Sequence, residues 1–221
     1  MHFIKTSFNG NPNIGLYAYA TDEYCLIGEH IQKEKLHLIE KVLKVPIHQL
    51  SMCGTSLIGV FCAGNKNTLL VPELAFDNEL KHLDHLGIKY KVLTTRHTAL
   101  GNNIVANENG CLVSTEFSAD NKKRIRQSLG VPLRPGKIAS QPTVGSAAIL
   151  SKRGCLVHRD ITDAELKYAE NILGVKCHPA TVNMGNPHVK SGLIMNSNGF
   201  IIGSLSGSPE IMFIEEVLEF I

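Results

Sequence analysis

Cysteine and histidine are the side chains best suited to nucleophilic, redox or metal chemistry, and this chain of 221 residues has six cysteines and ten histidines. The cysteines show no C-x-x-C pair and none of the Cys/His spacings typical of zinc sites. His82 and His85 stand three residues apart but have no evident third ligand. We therefore expect no catalytic residue, no metal and no cofactor, with thiols that stay reduced in a cytoplasmic protein. The cysteines are Cys25, Cys53, Cys62, Cys111, Cys155 and Cys177.

The densest basic run is Lys122, Lys123, Arg124 and Arg126, which surround Ile125. We favour the interpretation that it is a solvated helix face, and the alternative is a patch that contacts phosphates. The chain has 22 Lys and Arg against 20 Asp and Glu, a formal net charge of +2. A protein held mainly by phosphate contacts is far more basic, so we expect any nucleic-acid contact to be local.

The composition is that of a folded domain, with 43% hydrophobic and 19% charged residues. No apolar run approaches the roughly 18–20 residues that span a bilayer. Residues 1–5 lack the long apolar stretch of a secretory signal. We expect a cytoplasmic protein with no membrane contact.

The elements that position these residues recur along the chain. An apolar triplet begins at Cys25, Leu69, Cys111, Cys155 and Phe200, at intervals of 44, 42, 44 and 45 residues. A glycine precedes each triplet by about ten residues, and two markers that keep one period indicate a repeat architecture. The glycines are Gly15, Gly59, Gly101, Gly145 and Gly192.

Each repeat is predicted to form two strands joined by a turn, then a helix, then a third strand. The third strand is predicted at 47–51, 90–93 and 180–182. The fifth repeat ends with its helix, so we expect the strand at 3–8 to complete it and to close the ring. The expected N-caps are Asp77, Asp120 and Asp163, and the expected helix ends are Gly87, Gly130 and Gly174. The chain is expected to be one domain with repeats at approximately 9–53, 54–97, 98–142, 143–187, and 188–221 plus 1–8.

Comparison between repeats separates structural from functional candidates. Cys25, Cys111 and Cys155 take the place of Leu69 and Phe200, so we interpret them as core residues. His158 takes the place of two glycines, a proline and a serine, so we expect a loop residue rather than an acid–base catalyst.

Asparagines lie beside glycines in the repeat loops. In one interpretation, turn chemistry alone explains them. In the other, the loops gather on a common face whose amide donors and acceptors suit protein or RNA recognition. These asparagines are Asn9, Asn11, Asn13, Asn65, Asn102, Asn103 and Asn186.

Taken together, several segments resemble the translation initiation factor six family. They are FNGNPNIG at 8–15, GN at 64–65 with LLVP at 69–72, ALGN at 99–102, VGS at 144–146, CLVH at 155–158 and TVNMG at 181–185. No single segment is decisive, but the match spans essentially the whole chain in order. The resemblance implies the pentein fold, a five-bladed αβ propeller of ββαβ repeats around a pseudo-fivefold axis.

The resemblance also implies a ribosome anti-association factor. Such a factor binds the intersubunit face of the large ribosomal subunit and prevents premature joining of the small one, in initiation and in large-subunit maturation. In the family the main contact is a ribosomal protein of the L14/L23 type, near the sarcin–ricin loop of the large rRNA. Release is linked to a translational GTPase and a Shwachman–Bodian–Diamond-type protein. A monomer that buries an ordinary interface of about 1,200–2,000 Å² would suffice, since occupancy alone blocks joining.

We place the expected contact on one loop face, with Asn102 of the Leu-Gly-Asn motif as the leading residue. Gly15 and Gly101 are expected to allow close backbone approach. Val60 stands where eukaryotic relatives typically carry Arg, so a basic contact is expected to be missing. The chain ends at Ile221 without their Ser/Thr-rich tail, which favours an archaeal, cytoplasmic protein. The expected ribosome-binding residues are Asn13, Gly15, Asn65, Lys66, Gly101, Asn102 and Asn103.

Two other functions stay open. Penteins include deiminases and amidinotransferases, which attack a guanidinium carbon with a cysteine late in the chain. Residues 188–221 contain no cysteine, and Cys177 precedes the last repeat, which argues against such an enzyme. A generic RNA-binding ring is disfavoured by the small net charge.

Overall fold

The computed structural model describes all 221 residues, and its fifteen strands form five three-stranded sheets. The strands are β1 (Phe3–Thr6), β2 (Ala18–Ala20), β3 (Cys25–Gly28), β4 (Ile47–Leu50), β5 (Ala63–Gly64), β6 (Leu69–Pro72), β7 (Tyr90–Leu93), β8 (Ile104–Ala106), β9 (Cys111–Ser114), β10 (Leu133–Gly136), β11 (Ala148–Leu150), β12 (Cys155–His158), β13 (Cys177–Ala180), β14 (Leu193–Met195) and β15 (Phe200–Gly203). The helices are α1 (Lys33–Leu43), α2 (Ile58–Phe61), α3 (Asp77–His85), α4 (Leu100–Asn103), α5 (Ala119–Leu129), α6 (Asp163–Leu173) and α7 (Ser208–Val217), with 3-10 turns at Ile14–Tyr17 and Val189–Gly192.

All five sheets have the same topology. A short first strand pairs antiparallel with the middle strand, and the strand after the long helix pairs parallel with it. In the first sheet, Ala18 lies opposite Ile27, and Cys25 lies opposite Ile47. The five repeats predicted from the sequence, and the five-bladed pentein arrangement that the resemblance implies, are therefore confirmed.

The ring closes as expected from the sequence. β1 pairs parallel with β15, with Phe3 opposite Phe200, and so completes the sheet that β14 and β15 begin. The amide of Phe200 also donates to the carbonyl of His2 at 2.9 Å. No sheet needs a partner from outside to supply its third strand.

The long helices pack against the middle and third strands, whereas the first strands contact one another around the axis. None of the helices is long and apolar enough to cross a bilayer. α5 and α6 begin at Ser118 and Thr162, whose hydroxyls accept from backbone amides in the first turn. The expected N-caps Asp120 and Asp163 instead lie inside that turn, where their charge still favours the helix dipole. The helix ends predicted at Gly130 and Gly174 are confirmed, because both residues are left-handed C-caps. Lys44 has the same conformation at the end of α1.

The triplet cysteines are packed as predicted. Cys25, Cys111 and Cys155 are all fully buried in the middle strands, between the sheets and the helices. Burial raises the pKa of the Cys25 thiol to about 12, so it stays protonated. The third strand expected at 180–182 instead ends at Ala180, because its parallel register aligns Cys177 with Cys155.

Candidate functional site

The first strand of every sheet links two kinds of turn at opposite ends of the ring. A short helical turn precedes the strand, and the helical turns pack against one another around the axis. A hairpin turn follows the strand, and residues from all five hairpin turns line one polar depression of about 420 Å³. We call these ends the helical-turn face (Ile14–Tyr17, Ile58–Phe61, Leu100–Asn103, the hydrogen-bonded turn at 144–147 and Val189–Gly192) and the hairpin face (21–24, 65–68, 107–110, 151–154 and 196–199).

Glycine at the second position of four helical turns lets neighbouring turns touch. A Cβ atom on Gly59 would lie 2.0 Å from the carbonyl oxygen of Gly15, and one on Gly101 would lie 2.1 Å from that of Gly59. Gly145 approaches Gly101 in the same way, at 2.3 Å. The close packing leaves no room for a side chain. Gly15 and Gly101 therefore admit the neighbouring turn of the same ring, and their contact with an external partner stays a prediction.

The fifth helical turn carries a lysine at the glycine position. Lys190 stands second in Val189–Gly192, 45 residues after Gly145, so Gly192 was the wrong marker for this repeat. The Lys190 ammonium crosses the ring and donates to the carbonyl of Gly101 at 2.5 Å. The side chain lines an axial cavity of about 80 Å³ whose other walls are almost all apolar. Burial lowers the pKa of Lys190 to about 8.

Three of the predicted asparagines lie on the helical-turn face. The Asn103 amide donates to the carbonyl of Ala99 at 2.9 Å, and the residue is buried. The side-chain oxygen of Asn13 accepts from Asn183 at 3.4 Å. Asn102 is partly exposed, and its backbone carbonyl accepts from Gly145 while its side chain bonds to no other residue. Asn102 is thus the member of this set whose side chain makes no hydrogen bond within the protein.

Asn65 and Lys66 lie on the hairpin face, so the prediction that the seven residues share one face is wrong. The physical reason is that β5 runs between its helical turn and Asn65, which places them at opposite ends of a strand. Asn65 is also 4% exposed, and its amide donates to the carbonyl of Leu129 at 3.0 Å. Lys66 is exposed.

The Asn65 contact belongs to a set of clamps between neighbouring blades. Each clamp joins a hairpin turn to the end of the next long helix, where backbone carbonyls lack helical partners. Asn107 donates to the carbonyl of Leu173 at 2.7 Å, and Asn196 to that of Leu43 at 2.8 Å. The signal in the sequence was an Asn directly after the first strand in three repeats. It indicated a structural contact between blades rather than a residue that recognises a partner.

A second set of structural residues was missed in the sequence. Glu165, third in its helix, accepts from the backbone amides of Ala139 and Ser140, both at positive φ. Glu79 and Glu210 hold the corresponding turns at 53–54 and 184–185 in the same way. These hydrogen bonds lower the pKa of Glu165 and Glu210, although burial opposes the shift. The signal in the sequence was a Glu at the third position of three of the five long helices, and its hydrogen bonds fix the turns at 53–54, 139–140 and 184–185.

Burial governs the chemistry of the thiols and of His158. Burial raises the pKa of Cys62 and Cys111 well above the usual thiol range, which disfavours a thiolate nucleophile. His158 ends β12 and is buried rather than in a loop, with its ring 5.3 Å from that of His188. Desolvation lowers the pKa of His158. No group of three metal-binding side chains converges anywhere in the chain.

The fold and the two faces define a class: a closed pentein propeller with a rigid face of interlocked helical turns. The chain matches the model of the eIF-6 family over residues 3–217 and belongs to that family. It is 38% identical to translation initiation factor 6 of Pyrococcus abyssi over 224 residues, which cover 99% of both chains. The factor of Thermococcus onnurineus is 37% identical over 227 residues, covering both chains completely, and that of Methanocaldococcus jannaschii is 34% identical over 97% of both.

The fold is shared with a solved structure. The crystal structure of the N-terminal domain of an ArgZ variant, covalently bound to a reaction intermediate, superposes with a TM-score of 0.50. Its sequence is 12% identical to that of this chain, and the match covers 76% of this chain and 67% of the ArgZ chain. At that identity the likeness establishes the shared fold alone.

Proposed function

We propose that this protein is a ribosome anti-association factor that binds the intersubunit face of the large ribosomal subunit. The full-length similarity to archaeal proteins named translation initiation factor 6 is the observation that carries the proposal. The factor acts as a cytoplasmic monomer, and it keeps the small subunit away by occupying its docking surface. It serves both initiation and large-subunit maturation.

The helical-turn face is the proposed binding surface. Its backbone is held by interlocked glycines and by carboxylates that fix the neighbouring turns, so little conformational entropy is lost on binding. Asn102 offers an amide without an intramolecular partner. Val60 is partly exposed on α2 in the same face. It supplies an apolar contact in place of the basic contact expected of eukaryotic relatives.

The proposed partners are a ribosomal protein of the L14/L23 type and the sarcin–ricin region of the large rRNA. A translational GTPase and a Shwachman–Bodian–Diamond-type protein are proposed to release the factor. An interface of about 1,200–2,000 Å² in total is enough to block joining without any chemistry.

Sucrose-gradient sedimentation with purified archaeal subunits tests the proposal. The protein is added before magnesium is raised, and the joined-ribosome peak is measured. We expect the protein to comigrate with the large subunit and to suppress the joined peak.

Asn102→Asp is expected to weaken both effects, because it places a negative charge where an amide donor contacts the partner. Lys66→Gln, an exposed change on the hairpin face, is the matched control and is expected to behave as the unaltered protein. Normal joining with no comigration would exclude anti-association. Equal loss with both variants would exclude the helical-turn face as the binding surface.

A further inference from the structure

Positive charge is concentrated in one part of this nearly neutral protein. Residues 88–137 contain nine of the 22 Lys and Arg residues but only three of the 20 Asp and Glu residues. Their net charge of +6 compares with +2 for the whole chain, so the rest of the protein is acidic.

The five long helices provide an internal comparison. α5 carries four basic residues and one acidic residue, a net charge of +3. At the equivalent positions of the ring, α3 and α6 have a net charge of −2 and α7 has −3, while α1 has +1. The fold does not require a strongly positive helix at this position, since three of the other four helices are net negative.

The basic side chains form one surface that runs over β7, α5 and β10, and α5 packs against both strands. Eight of the nine are exposed, and Lys122 is partly so. Within the chain, the one ion pair that any of them makes is between Arg124 and Asp120, at 2.8 Å. The basic surface consists of Lys89, Lys91, Arg96, Lys122, Lys123, Arg124, Arg126, Arg134 and Lys137.

The basic surface reaches the helical-turn face. The middle strands run from the hairpin face to the helical-turn face, so α5 begins at the latter, as its N-cap Ser118 follows the end of β9. Arg96 and Lys137 follow the ends of β7 and β10, which are parallel to the middle strands. Arg96 also lies six residues before Asn102, in the loop that leads to its helical turn.

We propose that the basic surface binds the phosphate backbone of the large-subunit RNA, as a second contact beside the helical-turn face. This rests on the proposed function, because it adds a contact to the same docked complex. The chemistry favours RNA over an acidic protein. A protein interface needs a largely apolar centre, and Val92 is the one large hydrophobic residue exposed within 88–137. Unpaired Lys and Arg in a row match a line of phosphates instead.

The experiment measures binding of the full-length protein to purified archaeal large subunits over a series of KCl concentrations. The test variant combines Lys123→Gln, Arg126→Gln and Arg134→Gln. Each phosphate contact that is lost is expected to reduce the slope of log affinity against log salt by about 1, so the slope falls by about 2–3. Affinity at about 100 mM KCl is expected to fall by more than tenfold.

The matched control combines Lys33→Gln, Lys81→Gln and Lys167→Gln, which removes the same charge from exposed positions on α1, α3 and α6. We expect its slope to stay within about 0.5 of the unaltered protein. Equal slopes for all three proteins, or an equal decrease in both variants, would overturn the proposal.

Photo-crosslinking identifies the class of partner. A photoreactive amino acid replaces Gln127, which is exposed on α5 between Arg126 and the helix end. Adducts with rRNA support the proposal, and adducts confined to ribosomal proteins refute it. Failure of the proposed function gives a different result, since the unaltered protein would then not bind the subunits at all.

Discussion

Replacing the lysine on the ring axis should change how stability depends on pH. Lys190 takes a position that is glycine in four other helical turns, and it extends into a mostly apolar cavity. Its folded-state pKa is about 8, against 10.5 for a solvated lysine. Between these two pKa values the unfolded chain binds more protons than the folded chain. The free energy of unfolding that this group contributes therefore rises with pH.

The size of the effect follows from the two pKa values. A separation of 2.5 pKa units corresponds to about 3 kcal/mol, of which about 2 kcal/mol appears between about pH 7 and pH 9.5. Lys190→Met keeps a side chain of similar length in the cavity but cannot titrate. We therefore expect the free energy of unfolding of the unaltered protein, relative to that of the variant, to rise by about 2 kcal/mol across this range.

Urea denaturation at both pH values, followed by circular dichroism, measures the difference directly. Lys167→Met, which removes an exposed lysine from α6, controls for the loss of a charge from the surface. Other groups that titrate in this range cancel in the comparison between protein and variant. A difference that stays constant within about 0.5 kcal/mol would refute the assignment of a desolvated ammonium to the axis.

Three further predictions concern the contacts that hold the ring together. Asn107→Ala removes the hydrogen bond of 2.7 Å to the carbonyl of Leu173, which keeps its bond of 3.1 Å from Asn109, and leaves the buried amide of Gly110 without its side-chain acceptor, so we expect a loss of about 1–3 kcal/mol in chemical denaturation. Asn171→Ala, at an exposed position of α6, is the control and should cost less. Gly59→Ala puts a methyl group 2.0 Å from a neighbouring carbonyl oxygen, and we expect at least about 3 kcal/mol of destabilisation or failure to fold; near-normal stability would contradict the interlocked-glycine model. Glu165 has a lowered folded-state pKa, so the stability it provides is present above its ordinary value of 4.5 and is lost as pH falls below it. The free energy of unfolding of Glu165→Gln should therefore converge with that of the unaltered protein as pH is lowered. Free energies that stay apart by the same amount at every pH would exclude the turn-holding role.

The repeats allowed the architecture to be predicted, because one burial pattern recurs five times and each copy checks the others. The apolar triplets, the helix ends at Gly130 and Gly174 and the closure by β1 all follow from periodicity and local propensity. The marker in the last repeat was displaced because Lys190 occupies the glycine position there, so that Gly192, two residues further on, is the glycine found near the expected spacing.

The candidate site was harder to predict, because composition does not reveal which end of a strand a loop occupies. Asn65 and Asn102 each lie beside a glycine in the sequence, yet one caps a neighbouring helix and the other has a free amide. The distinction depends on contacts across blades, between residues such as Asn65 and Leu129 that are 64 positions apart. The role of Lys190 was hidden for the same reason, since its carbonyl partner lies 89 positions away.

The pairing of β1 with β15 has a consequence for biosynthesis. β1 leaves the ribosome about 200 residues before its partner β15, so the ring cannot close until β15 has been made. Until then the nascent chain exposes two unsatisfied strand edges, one at each end of the growing arc. A circularly permuted chain that starts at Asn9 and joins Ile221 to Met1 through a short linker would make every sheet from consecutive strands. Such a chain should close sooner after synthesis and depend less on chaperones, whereas in the native order the sheet of β14, β15 and β1 is completed last.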